Sequence, residues 1–230
     1  MLMRDERAAL CGIGRRMAET GLVIGSSGNI SVRSGDLVAV TPGGMMLDRM
    51  RPEDCPVLDL DGRVVEGERA PSSETPMHLA VYEVTEAAAV VHTHSTYGAV
   101  VASTMPELPP VHYTTLLLGG VVKVAGYATY GTAELAANVR AALEGGRWGR
   151  MNAALMANHG GVTLGRDLEE AFENARLLEW LCGVYVRARM IGEPRVLTEE
   201  QLQAVVERGL VPPGYAAVRT ERAEQAGEAE

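Results

Sequence analysis

The stretch Val90-Val91-His92-Thr93-His94-Ser95 limits what this chain can become more than any other. The run Ala87-Ala88-Ala89 leads into it, and Val and Thr favour extended backbone, so residues 87–94 are expected to form a strand. Side chains of a strand alternate between faces, which points His92 and His94 to the same side. Two imidazoles on one face can share one metal ion. Histidines so spaced also occur with no such role. The pair therefore takes its meaning from its company: Pro71-Ser72-Ser73-Glu74 upstream and Asn158-His159-Gly160-Gly161 downstream.

The rest of the chain alternates helical and extended patterns. Leu10, Ile13 and Met17 recur at helical spacing over residues 4–20, before Gly21. Gly25-Ser26-Ser27-Gly28-Asn29-Ile30-Ser31 reads as a turn, or as a cradle of exposed N–H groups for an anion. Leu37–Thr41 reads as a strand, Pro42-Gly43-Gly44 as a second bare turn, and Asp61-Gly62 as the turn of a hairpin. Residues 75–86 form a helix with Met77, Val81 and Val84 on one stripe, capped by Ser72 or Ser73. A helix over 95–103 and a strand over 121–125 follow, and Thr132 caps a helix that ends before Gly145-Gly146. Residues 153–157 are an apolar strand that resumes after His159 at 162–164. Asp167 and Glu170 resemble a capping box for a helix to about Met190, with Leu168, Phe172, Ala175, Leu178, Cys182 and Tyr185 buried; Thr198 and Gln201 resemble another. This pattern is α/β or α+β with layered helices and some antiparallel pairing. No linker divides residues 1–219, expected to be one domain, and residues 220–230 are expected to be a flexible acidic tail.

Charge and cysteine usage narrow the function. A net charge of -9 argues against nucleic acid, which calls for a basic face, yet leaves room for a small phosphorylated molecule. Cys11, Cys55 and Cys182 are scattered and form no CxxC pair, which fits a reducing cytoplasm. Arg4, Asp5, Glu6 and Arg7 stand where a signal peptide needs an apolar core, and no run is long enough for a membrane span.

His92, His94 and His159 supply three nitrogens, and Glu74 could complete the shell of a divalent metal of zinc's class. Displaced by substrate, Glu74 would be free as a general base beside a metal that polarises a carbonyl. His78, one turn after Glu74, is read as a satisfied helix residue, because the other three histidines make the better set.

In order and spacing, Gly28-Asn29-Ile30-Ser31, Thr41-Pro42, Pro71-Ser72-Ser73-Glu74, Val91-His92-Thr93-His94, His112-Tyr113, Tyr127-Ala128-Thr129-Tyr130-Gly131 and His159-Gly160 resemble the class II aldolase/adducin family over residues 4–210, most of all its members that cleave L-fuculose 1-phosphate. The resemblance implies a three-layer α/β sandwich, a central, largely antiparallel sheet with helices on both faces, assembled as a homotetramer with active sites between subunits. It implies one Zn²⁺ per subunit on Glu74, His92, His94 and His159, and phosphate against Gly28-Asn29, Gly43-Gly44 and Ser72-Ser73. It makes Glu74 the proton acceptor and donor, brings Tyr113 to a neighbouring subunit's site as a proton donor, and offers Tyr215 as a residue that closes the site. The reaction implied is reversible cleavage of a ketose 1-phosphate to dihydroxyacetone phosphate and an aldehyde. Gly43 stands where these aldolases often carry Thr, which removes a hydroxyl and leaves the backbone donors.

Pentulose-phosphate 4-epimerases, sugar-phosphate dehydratases and sugar-acid decarboxylases share the superfamily. The epimerase pattern has Asp after the paired serines and a further acid after Pro110; here Glu74 and His112-Tyr113 stand in those places. An adducin-like interaction module is the non-enzymatic alternative, and it has no need of all four metal ligands.

Overall fold

In the computed structural model, which describes residues 1–210, the central run is strand β5 (Ala89–Thr93), and it is paired along both edges. On one side lies β1 (Asn29–Ser34), followed outward by β2 (Leu37–Val40), β3 (Val57–Asp59) and β4 (Val64–Glu66). On the other lie β9 (Gly160–Gly165), β8 (Ala153–Met156), β7 (Val122–Ala125) and the short β6 (Glu107–Leu108). Neighbouring strands are antiparallel except β7 and β8, which are parallel and joined through a helix. The expected largely antiparallel sheet is present.

Alternation along β5 sorts the helices into two layers. Ala89 and Val91 pack with Leu10, Ile13 and Met17 of α1 (Arg4–Glu19) and with Phe172 of α5 (Leu168–Ile191). Val90 packs on the opposite face, with Met77 and Val81 of α2 (Thr75–Val84) and Leu135 and Val139 of α4 (Ala133–Leu143). Beyond them Leu155 of β8 meets Val101 of α3 (Thr96–Thr104) and Leu178 of α5. The sheet is thus covered by α1, α3 and α5 on one face and by α2 and α4 on the other. His92 has the parity of Val90, so it faces the side that holds α2. A last helix, α6 (Glu199–Glu207), packs Leu202 against Leu116 and Trp148.

The helix ends follow their expected chemistry with two exceptions. Thr132 accepts from the Leu135 N–H, and Thr198 with Gln201 forms a capping box. Asp167 caps α5, but the Glu170 carboxylate accepts from the Arg166 N–H, one residue before the position that a capping box requires. Neither Ser72 nor Ser73 is the cap of α2. Glu74 occupies that position, and Ser72 Oγ instead accepts from the Glu74 N–H.

Asn29, Ile30 and Ser31, read as a turn, are the first residues of β1. The turn lies one residue earlier. Gly28 has φ +76°, and a Cβ there would sit 2.5 Å from Val23 Cγ1 and 2.9 Å from the His92 carbonyl oxygen. Gly28→Ala should therefore cost about 1–3 kcal/mol of stability, read as a lower urea midpoint; an unchanged midpoint would show that the turn adapts. Among the described residues no helix is long and apolar enough to cross a membrane. The boundary at 219, the tail 220–230 and Tyr215 lie outside the described residues.

Candidate metal centre

Three local devices bring four side chains to one point. The first is β5, which holds His92 fully buried and passes His94 beyond its end; the His94 N–H donates to the Leu22 carbonyl. Helix α3 starts at once behind them, its Tyr97 and Gly98 N–H groups held by the Glu179 carboxylate of α5. The second is the turn between β8 and β9. Asn158 adopts a left-handed backbone, φ 55°, which Asn tolerates better than most residues. The chain reverses there, and Gly160 passes so close to β5 that a Cβ would lie 2.1 Å from the Thr93 carbonyl oxygen. His159 is thereby delivered beside His92. The third is the start of α2, which carries Glu74.

The resulting cluster is tight. Glu74, His92, His94 and His159 each present one ligand atom, and these atoms all lie within 4.8 Å of one another. Glu74 Oε2 is 3.1 Å from His92 Nε2, Glu74 Oε1 is 3.3 Å from His159 Nε2, and the Nε2 atoms of His92 and His94 are 2.9 Å apart. The three rings meet edge to face with centroids 4.8–4.9 Å apart. His78 stays outside this group.

The donor set suits a divalent metal on its own chemistry. His92 Nδ1 lies 2.9 Å from the Gly161 carbonyl, which can only accept, so the proton is on Nδ1 and the Nε2 lone pair faces the cluster. That lone pair confronts a second imidazole nitrogen and a carboxylate, and Glu74 Oε1 is buried without a hydrogen-bond partner. A cation among these atoms relieves all of these conflicts. Burial, the largest cause in each case, pushes His94 down to about 4 and also lowers His159. Both are then neutral at physiological pH, as ligands must be. Burial pushes Glu74 upward, but the hydrogen bond and charge of His92 when its ring is doubly protonated, with His159 and Asn29, outweigh it and hold the carboxyl well below its usual range.

The three bare loops converge on the same cavity, of about 320 Å³. Gly28-Asn29, Gly43-Gly44 and Ser72-Ser73 line it together with Glu74, His94 and His159. Pairing explains the convergence. Asn29 is opposite His92 in the β1–β5 register, and the Pro42–Pro71 bridge ties the second loop to the third, with the Ser72 N–H donating to the Thr41 carbonyl. Tyr127 and Tyr130 also line the cavity, although each is about two-thirds exposed. They were not picked out as site residues from the sequence, although the Tyr-Ala-Thr-Tyr-Gly motif that contains them was. Gly131, where a Cβ would lie 2.8 Å from the Ser73 carbonyl oxygen, holds that motif against the third loop. Tyr113 is not a cavity residue of its own chain. It begins a short 3-10 helix (Tyr113–Leu118), is 44% exposed and stacks on His112.

Comparison with known proteins agrees with this chemistry. Residues 8–186 match the family model of the class II aldolase and adducin N-terminal domain. The chain is 40% identical over 211 residues to 5-deoxy-D-ribulose 1-phosphate aldolase of Bacillus thuringiensis, covering 90% of this chain and 97% of that one. It is 36% identical over 204 residues to 5-methylthioribulose-1-phosphate/5-deoxyribulose-1-phosphate aldolase of Rhodospirillum rubrum, covering 88% and 90%. Among solved structures, an L-fuculose 1-phosphate aldolase superposes with a TM-score of 0.85 at 39% identity, covering 90% of this chain and 97% of that one. With its four candidate metal ligands gathered at one point, this chain belongs to the class II aldolase and adducin N-terminal domain family, as one of its metal-dependent lyases.

Proposed function

We propose that this protein reversibly cleaves a ketose 1-phosphate, of the L-fuculose 1-phosphate or 5-deoxypentulose 1-phosphate kind, into dihydroxyacetone phosphate and a small aldehyde. One observation carries the reading: a cavity with the Glu/His₃ cluster at one end and three Gly/Ser-rich loops around it. The names of the relatives that match at 40% and 36% identity support the substrate class.

In this reading Glu74, His92, His94 and His159 hold Zn²⁺, one per subunit. The ion supplies Lewis-acid polarisation of the substrate carbonyl, the electron sink that C–C cleavage requires. The protein does the rest. Backbone N–H groups at Gly28 and Gly44, with Asn29, Ser72 and Ser73, bind the phosphate, while the Gly43 N–H is held by the Ala70 carbonyl and shapes the second loop, and together they set the register of the small substrate. In the synthetic direction the Glu74 carboxylate takes a proton from the carbinol carbon of dihydroxyacetone phosphate; in cleavage it returns one. Tyr113 protonates the aldehyde-derived oxygen in a neighbouring subunit's site. Its exposure and its place away from its own chain's cavity are consistent with that role. The assembly is then a homotetramer of one-domain subunits, 1–219, with Tyr215 as a closing residue. All three cysteines are free and buried, in keeping with a cytoplasmic enzyme.

The phosphate assignment has its own test. A charge-assisted hydrogen bond is worth about 1.5–3 kcal/mol, so a dephosphorylated ketose should lose roughly a hundredfold or more in kcat/KM. Ser73→Asp, which sets a like charge at the exposed edge of the third loop, should raise KM for the phosphorylated ketose and spare metal content. Equal turnover of both ketoses would remove phosphate from the reading. A pentulose phosphate that is epimerised rather than cleaved would replace the aldolase with an epimerase.

A further inference from the structure

Behind the cluster, Glu74 and Asn29 lead into a buried polar array whose other members, His78, Ser31 and Tyr82, the proposed chemistry does not use. Glu74, His78 and Tyr82 recur every four residues from the start of α2, so they share one face of the helix. Asn29 and Ser31 are two apart on β1, so they share one face of the strand. The two faces meet. Glu74 Oε2 is 2.9 Å from Asn29 Nδ2, and Asn29 Oδ1 is 2.5 Å from His78 Nε2. His78 Nδ1 is 2.7 Å from Ser31 Oγ, which is 2.7 Å from the Tyr82 hydroxyl. The four residues behind Glu74 are all at most 4% exposed.

The direction of every bond follows from the carboxylate end. An ionised carboxylate only accepts, so Asn29 turns its NH₂ group to Glu74 and its carbonyl to His78. His78 must then donate from Nε2 and accept at Nδ1. Ser31 donates to it and accepts from the Tyr82 O–H. The Asn29 carbonyl at Nε2 and the Ser31 hydroxyl at Nδ1 hold the ring in a single tautomer.

Resting on the aldolase reading for the role of Glu74, we infer that His78 is a positioning residue: it locks the Asn29 amide so that an N–H holds Glu74 Oε2, leaving Oε1 as the working oxygen. Without that lock the amide can turn over and set a carbonyl against the carboxylate, and the base is driven out of place. Asn29 holds Oε2 at 2.9 Å, while Oε1 faces His159 Nε2 at 3.3 Å in the cluster.

The test uses the metal-loaded enzyme. Nitrogen-15 NMR of imidazole-labelled protein should show His78 protonated on Nε2 alone, a result that owes nothing to the substrate. His78→Leu removes both bonds and should slow deuterium exchange at the carbinol carbon of dihydroxyacetone phosphate about 10–100-fold, with KM and metal content near those of the parent. His78→Gln restores a donor at the position of Nε2 and should recover most of the loss, which a purely space-filling role does not predict. An Nδ1-protonated ring, equal losses in the two variants, or full exchange in His78→Leu overturns the inference. If His78→Leu does not fold, the tautomer and the Gln variant decide. If the parent itself exchanges no proton, the aldolase reading falls, and the tautomer alone still rules on the direction of the array.

Discussion

His92→Ala combined with His94→Ala should leave the protein without its metal. Elemental analysis of the parent should find about one divalent ion per chain, as a single four-ligand centre holds. Binding free energies of structural zinc in four-ligand peptides are about 10–16 kcal/mol, so an equal share per ligand is roughly 3 kcal/mol, or about a hundredfold in affinity. Two ligands lost together should weaken binding about ten-thousandfold, enough to empty the site on dialysis. His92 is the more drastic change, because it is fully buried and its Nδ1–H bond to Gly161 joins β5 to β9. His94→Ala alone separates the two effects. That side chain is half-buried past the end of the strand, and its backbone bond to Leu22 is kept, so metal should fall while the fold persists. Parent-level metal in the double variant would sink the proposed ligand set.

Glu74→Gln should abolish the first proton transfer while the three histidines retain the ion. A positioned general base contributes about 10²–10⁴ in rate, and the amide has the carboxylate's size without its basicity. Deuterium exchange at the carbinol carbon of dihydroxyacetone phosphate isolates the step, because no aldehyde takes part. The variant should exchange at least about a hundredfold more slowly, with metal content unchanged. Tyr113→Phe should behave in the opposite way, with exchange intact and aldol formation slowed, since its proposed proton moves later. Parent-rate exchange by Glu74→Gln with metal retained would assign the base to another residue.

What the sequence disclosed, and what it withheld, follow from the range of the interactions. The buried stripe of α5, Leu168 to Tyr185, is a periodicity that any straight helix must honour, and all six of its residues are buried. The caps at Thr132 and Thr198 are equally local. The His-x-His strand declared its shared face, and the motifs around Glu74 and His159 marked them as its partners, a set that the resemblance repeats. The start of β1 was misread because Asn, Ser and Gly signal turns. Pairing with β2 on one edge and β5 on the other overrides that preference in the middle of a sheet. Ser72 had the right type for a helix cap, but Glu74 takes that place, drawn to His92 and Asn29. The array behind Glu74 was half legible. The spacing of Glu74, His78 and Tyr82 can be read from the sequence, but nothing in it says that β1 lies opposite.

The place of β5 between β1 and β9 also sets when the centre can exist at all. Residues arrive from the ribosome in order, so β1 to β5 emerge while one edge of β5 is still bare. Its partner on that edge comes late: Thr163 Oγ1 lies 3.4 Å from the carbonyl oxygen of Val91, 72 residues earlier. Until β9 is made, His92 has neither the Gly161 acceptor that fixes its tautomer nor His159 at its side. Pairings of such long range make folding slow and leave strand edges open to wrong partners. The growing chain therefore cannot bring the four side chains together before His159 and β9 have been made.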